Sequence, residues 1–166
     1  MQAQFGRLIG RWTCTSAQRQ KDGSFKDIAG EATWTWFYAL DGRIVQDVWE
    51  GPAPAGGGVG TNLRVWNDQT QKWDIAWATS SQGGIQRLTA EAQGDDLVMT
   101  GDQPARAPFP AHTARITFHT IEADSFLWKY EAAAPGQPGP WAEFSRMSCR
   151  RSASSDVQGD KPASNG

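Results

Sequence analysis

Ile9-Gly10-Arg11-Trp12-Thr13-Cys14 opens the first run of residues with strand character, and its reading decides the fold. A Gly-x-Trp at the start of a first strand, matched by Arg146, Arg150 and Arg151 on the last, points to a β-barrel whose two chain ends meet. The Trp12 ring would plug one end, and a terminal arginine would lie across its face. First and last strands would then be neighbours, bringing Cys14 and Cys149 within reach of a disulfide. A reducing cytoplasm would instead leave two small buried thiols, and both readings stay open.

Outside this stretch the chain alternates between β-rich runs and turn signals, with no helical period. Strands are expected at 10–17, 30–40, 43–50, 59–67, 72–80, 84–92, 96–102, 112–121, 125–133 and 141–151, ten in all. Residues 2–9 are read as one helical turn closing a barrel end. The barrel would occupy 1–151, and 152–166, polar and small, would be a disordered tail.

The connections alternate in kind. Asp41-Gly42, Asn67-Asp68-Gln69-Thr70, Gly94-Asp95 and Glu122-Ala123-Asp124 are tight turns. Residues 18–29, 51–58, 81–83, 103–111 and 134–140 read as longer or looser links. In an up-and-down meander alternate connections share an end. One end is therefore sealed by tight turns, Trp12 and the terminal arginines, while the other is a mouth ringed by loops.

Composition agrees with a cup that needs filling or lining. Nine Trp in 166 residues far exceed average usage. A net charge of -2, a pI near 5.6 and scattered basic residues exclude a nucleic-acid or anionic-membrane footprint. The segment Met1 to Arg7 has no basic-then-apolar run, and no window reaches membrane-spanning length, so a soluble cytoplasmic protein, monomer or homodimer, is expected.

Period-2 alternation selects the inward side chains. Phe126, Trp128 and Tyr130 share one face of the ninth strand; Trp73, Ile75, Trp77 and Thr79 share one face of the fifth; Ala114, Ile116 and Phe118 share one face of the eighth. Trp34, Trp36 and Tyr38 are taken as inward on the second. The third, fourth and sixth strands carry apolar residues on both faces and stay unassigned. On the last strand the face holding Cys149 also holds Met147, Ser145, Glu143 and Trp141, which places a carboxylate inside the barrel near the mouth.

With Gly10-x-Trp12, Leu40-Asp41-Gly42-Arg43, Gly56-Gly57-Gly58-Val59-Gly60, Trp66-Asn67-Asp68 followed by Lys72-Trp73 and Trp77, and the closing Arg150-Arg151, the chain resembles an uncharacterised bacterial family of calycin-like (lipocalin-like) barrels, a domain-of-unknown-function family. The resemblance spans about 10–151 and rests on turns, plugs and barrel positions. It implies an antiparallel barrel with an internal cavity for a small apolar molecule, and it supplies no catalytic residues. Heme-binding relatives of the fold need an inward axial His on a late strand, and the tenth strand here has none.

The functional expectation is an aromatic-walled pocket with a few polar groups near its mouth, suited to a small hydrophobic, aromatic molecule. Its ligand-binding candidates are Trp34, Trp36, Trp77, Arg87, Met99, Phe118, Trp128, Tyr130 and Trp141. The competing reading fills the barrel with interdigitating rings. A second function, a cofactor-independent lyase, isomerase or cyclase, would use Glu143, Asp47 or His112 to move protons, with Arg87 or Tyr130 steadying negative charge. The bland readings are a rim salt bridge for Glu143 and a solvated histidine for His112. Two histidines at opposite heights and no cysteine cluster give no metal-ligand spacing, and no cofactor motif is present. Arg106-Ala107-Pro108-Phe109-Pro110, apolar and proline-stiffened, could serve as a lid over the mouth.

Overall fold

A computed structural model describes residues 4–52, 58–106 and 109–153. A single 3₁₀ turn, Phe5–Leu8, precedes ten strands: β1 (Gly10–Arg19), β2 (Phe25–Ala39), β3 (Ile44–Gly51), β4 (Gly58–Asn67), β5 (Lys72–Thr79), β6 (Gln82–Gln93), β7 (Asp96–Gln103), β8 (His112–His119), β9 (Ser125–Ala133) and β10 (Ala142–Arg151). Each pairs antiparallel with its neighbour in sequence, and β10 closes against β1. Closure removes every exposed sheet edge. The expected tail lies almost wholly outside the described residues.

The base is built by the stretch that opened the sequence. Trp12 is fully buried; its indole N–H donates to the Leu8 carbonyl at 2.7 Å, and the Arg151 guanidinium lies 4.1 Å from its ring centroid. Arg151 also donates to the carbonyls of Ile9 and Ala123, tying both chain ends to the β8–β9 turn. Gly10 has φ +127, and a Cβ there would meet the Arg151 guanidinium at 2.5 Å, so the glycine of the motif is demanded twice over. Above this layer Phe5 packs edge-on to Trp73 and Phe118, while Trp12 packs edge-on to Phe126. The lower barrel is thus filled with rings, as the competing reading held. The upper barrel is not.

Cys14 and Cys149 face each other across the β1–β10 pair and are joined by a disulfide, with both residues buried and their Cα atoms 4.1 Å apart. The bonded reading is the one the structure adopts, in place of the thiol pair.

The mouth is less loop-rich than expected. β2 begins at Phe25, so 18–29 shrinks to a turn at 20–24, in which Asp22 accepts from the Ser24 amide and hydroxyl and Gly23 takes φ +87. Asp22-Gly23-Ser24 is a turn signal inside what had been read as a loose loop. The β5–β6 link is likewise short, Ser80 and Ser81 alone. Three long links remain at the mouth: 52–57, 104–111 and 134–141.

Candidate functional site

Strand facing decides which residues the barrel presents inward. β2 turns Trp34 and Trp36 inward, β5 turns Trp73, Ile75 and Trp77, β8 turns Ala114, Ile116 and Phe118, and β9 turns Phe126, Trp128 and Tyr130. Tyr38, expected inward, is 43% exposed, because it lies at the base rim next to the β2–β3 turn. On β3 the inward set is Val45, Asp47 and Trp49. On β4 it is Gly60, Asn62 and Arg64, while Val59, Leu63 and Val65 face out.

Above the plug lies a cavity of about 230 Å³, open at the mouth. Trp34, Trp49, Trp77, Leu88, Met99, Ile116, Phe118, Trp128 and Met147 supply an apolar wall. Asn62 and Arg64 border it below; His112, Tyr130, Gln103, Ser145 and Arg106 border it above. Gly60 makes room for this wall, since a Cβ at that position would overlap the Trp77 ring.

Of the sequence candidates, Trp34, Trp77, Met99, Phe118, Trp128, Tyr130 and His112 line the cavity. Five others do not. Trp36 lies deeper, buried against Phe5, Phe118 and the Arg64 guanidinium. Arg87 is exposed, because the inward face of β6 is Gln86, Leu88 and Ala90. Trp141 lies outside the barrel, its ring under the Arg115 guanidinium at 4.4 Å.

Glu143 is the fourth, and its displacement has one cause. Between Glu143 and Ser145 the β9–β10 register shifts by a residue: Glu143 opposes Glu131, yet Ser145 opposes Tyr130. Phe144 is the extra residue of a β-bulge, which reverses the alternation beyond it. Glu143 therefore points outward and pairs with Arg146 at 2.7 Å, as the salt-bridge reading held. Phe144 takes the inward place and packs against Tyr130 and Phe109. No residue in Ala142-Glu143-Phe144-Ser145 announces the bulge. On the outer wall, burial pushes the Glu131 carboxyl up, but Arg115 and Lys129 outweigh it and hold the group below its usual value.

Asp47, the fifth, is fully buried at mid-strand beneath the cavity. It accepts from the Asn62 backbone amide at 3.0 Å and from the Asn62 side chain at 3.0 Å, and its Oδ2 lies 2.7 Å from Nη1 of Arg64. Nη1 of Arg64 thus has the Asp47 carboxylate as its partner, while Nε and Nη2 find no acceptor among the described residues. Burial works against the guanidinium charge and Asp47 supports it. Arg64 is the residue that sequence reading missed. Its strand alternates with the polar side chains inward, the reverse of the usual pattern, so the signal pointed to the wrong face.

At the mouth His112 and Tyr130 form a dyad. His112 Nδ1 lies 2.8 Å from the Pro110 carbonyl, which can only accept, so Nδ1 carries the proton. In the neutral ring Nε2 is then the acceptor for the Tyr130 hydroxyl at 2.9 Å. Burial drives the Tyr130 pKa well above the ordinary phenol range. Arg106 and Phe109 exchange two backbone hydrogen bonds, and Arg106 donates to the Gly83 carbonyl at 2.7 Å, pinning this loop across to the start of β6. Ala107 and Pro108 lie outside the described residues.

Two solved structures share this architecture. The S-type phycobiliprotein lyase CPES from Guillardia theta superposes with a TM-score of 0.55 at 10% identity, over 88% of each chain. Rv2717c from M. tuberculosis superposes with a TM-score of 0.54 at 14% identity, over 89% of this chain and 94% of that one. The barrel is calycin-like. At these identities the likeness is one of fold, so the calycin-like barrel's chemistry has to be argued from its own side chains. No family model and no curated protein matches the chain.

Proposed function

We propose that this barrel binds a small hydrophobic, aromatic molecule in its upper cavity. One observation carries the reading: an aromatic and aliphatic wall encloses about 230 Å³ directly above a packed plug. A cavity of about 150 Å³ in a protein core admits benzene, so this one suits a ligand of one or two fused rings. The test is a tryptophan-fluorescence titration against aromatic and terpenoid compounds, with mass spectrometry of each mixture after incubation. Saturable quenching with the compound recovered intact supports a binder. Absence of any response across the panel would refute it.

The His112–Tyr130 dyad favours a second reading, a cofactor-independent lyase or isomerase acting in the same cavity. A substrate proton could pass to the Tyr130 oxygen as the Tyr130 proton moves to Nε2 of His112, the Pro110 carbonyl holding the imidazole in the receptive tautomer. Two titratable groups then converge on one point of the wall, the arrangement an enzyme needs and a carrier does not. Likeness in fold to a phycobiliprotein lyase is compatible with this chemistry. A new mass in the incubated mixture, lost in Tyr130→Phe and His112→Gln, would support turnover.

A further inference from the structure

The cavity's lower border is unusual in its hydrogen-bond balance. Arg64 is 0% exposed and held against the rings of Phe5 and Trp36, with its Cζ 4.8 and 4.2 Å from their centroids. Two of its nitrogens, Nε and Nη2, have no acceptor among the described residues, and Nη1 has only the Asp47 carboxylate. The buried indole nitrogen of Trp36, whose ring lies against the guanidinium, has none either, nor has that of Trp34, which packs on Trp36 and lines the cavity with Arg64. Near the mouth the unpartnered groups are of the opposite or neutral kind, the Gln103 Oε1 and the Ser145 hydroxyl. Donors thus gather at the floor. A buried polar group without a partner costs free energy, so a donor cluster beside an apolar cavity calls for an acceptor from the cavity side.

Charge selects the kind of acceptor. Asp47 already neutralises Arg64 at 2.7 Å, and both side chains are 0% exposed. A carboxylate or phosphate entering here would leave a net negative charge in a low-dielectric interior, which is expensive. A neutral oxygen conjugated to a flat ring, as in an aryl ketone, amide, lactam or quinone, would take the N–H groups without adding charge. We propose that Arg64 and Trp34 form a carbonyl-binding floor, and that the ligand of this barrel is an aromatic carbonyl compound inserted oxygen-first. Asp47 is a positioning residue: it holds the guanidinium, is itself held by Asn62, and lies outside the cavity lining. This rests on the cavity-binding reading above and names the ligand class for it.

The test uses three probes of one ring system: 2-acetylnaphthalene with a carbonyl, 2-ethylnaphthalene without, and 2-naphthoate with a charge. The ketone should bind about tenfold tighter than the hydrocarbon, the worth of one well-made buried hydrogen bond. The naphthoate should bind more weakly than the ketone, and the infrared carbonyl stretch of bound, isotope-labelled ketone should fall below its value in hydrocarbon solvent. In Asp47→Asn/Arg64→Met, which removes both charges together, the ketone preference should vanish while hydrocarbon binding persists. Trp34→Phe keeps an aromatic ring but loses the indole N–H, and should reduce both the preference and the infrared shift. Equal binding of ketone and hydrocarbon to the unaltered protein would overturn the carbonyl floor and leave the cavity reading intact. Tighter binding of naphthoate would overturn it in favour of an anion site. Failure of all three probes to bind would overturn both readings.

Discussion

The Cys14–Cys149 bond links residues 135 apart and fastens β1 to β10, the seam where the barrel closes. In the chain-entropy picture a crosslink of this span removes about 17 cal/mol/K from the unfolded chain, or about 5 kcal/mol at 25 °C. A domain of this size is stabilised by about 5–15 kcal/mol in total, so the bond supplies a third or more of it. Both cysteines are buried, and Cys→Ala removes only a small volume, so Cys14→Ala/Cys149→Ala should fold into the same barrel. Its urea midpoint, followed by tryptophan fluorescence, should fall accordingly, and the slope should rise because the freed unfolded chain exposes more surface. In a thermal scan the shift should be about 10–20 °C downward. Reducing the native protein in urea should reproduce the variant's curve. Coincident curves for native, reduced and variant protein would refute the reasoning, because they would mean that the seam is not covalently closed.

The plug should be costly to breach: Trp12→Ala removes a fully buried ring and its hydrogen bond to Leu8, and should destabilise by about 3–5 kcal/mol in urea unfolding. Gly60→Ala should lower the melting temperature and blue-shift or quench the emission of Trp77, since the added methyl needs the space its ring occupies. Glu131 is ionised more readily in the folded barrel than in the unfolded chain, so its contribution is present above the unfolded carboxyl range and fades as pH falls through the lowered folded value. Melting temperature followed from pH 6 downward should therefore fall less steeply in Glu131→Gln than in the native protein. Glu143→Gln should leave cavity binding unchanged in the fluorescence titration, because the side chain lies on the outer wall with Arg146.

Much of the barrel was legible because its signals are local. Turns at Asp41-Gly42 and Gly94-Asp95, ten β-rich runs and strict alternation in Phe126-Leu127-Trp128-Lys129-Tyr130 need only neighbours in sequence to be read. The cavity walls on β2, β5, β8 and β9 follow from that alternation. Where it misled, the cause was again specific. Arg87 and Trp141 were placed by strands with apolar residues on both faces or by continuity across a bulge, and Glu143 was carried outward by the single extra residue Phe144. β4 hid Arg64 because its exposed face, with Val59, Leu63 and Val65, is the more apolar one.

What the sequence by itself determined is the closed meander, its plugged end and most of its aromatic wall. Periodicity and turn chemistry act over two to four residues and survive without any knowledge of neighbours across the sheet. Only the tertiary structure decided the polar content of the cavity: the Asp47–Arg64 pair, the His112–Tyr130 dyad, the bulge at Phe144 and the joined cysteines. Each depends on the register between two strands, consecutive ones for the first three and the first and last for the cysteines. A polar side chain can face a barrel interior only when a partner from another strand meets it there, and that meeting is written in no single strand.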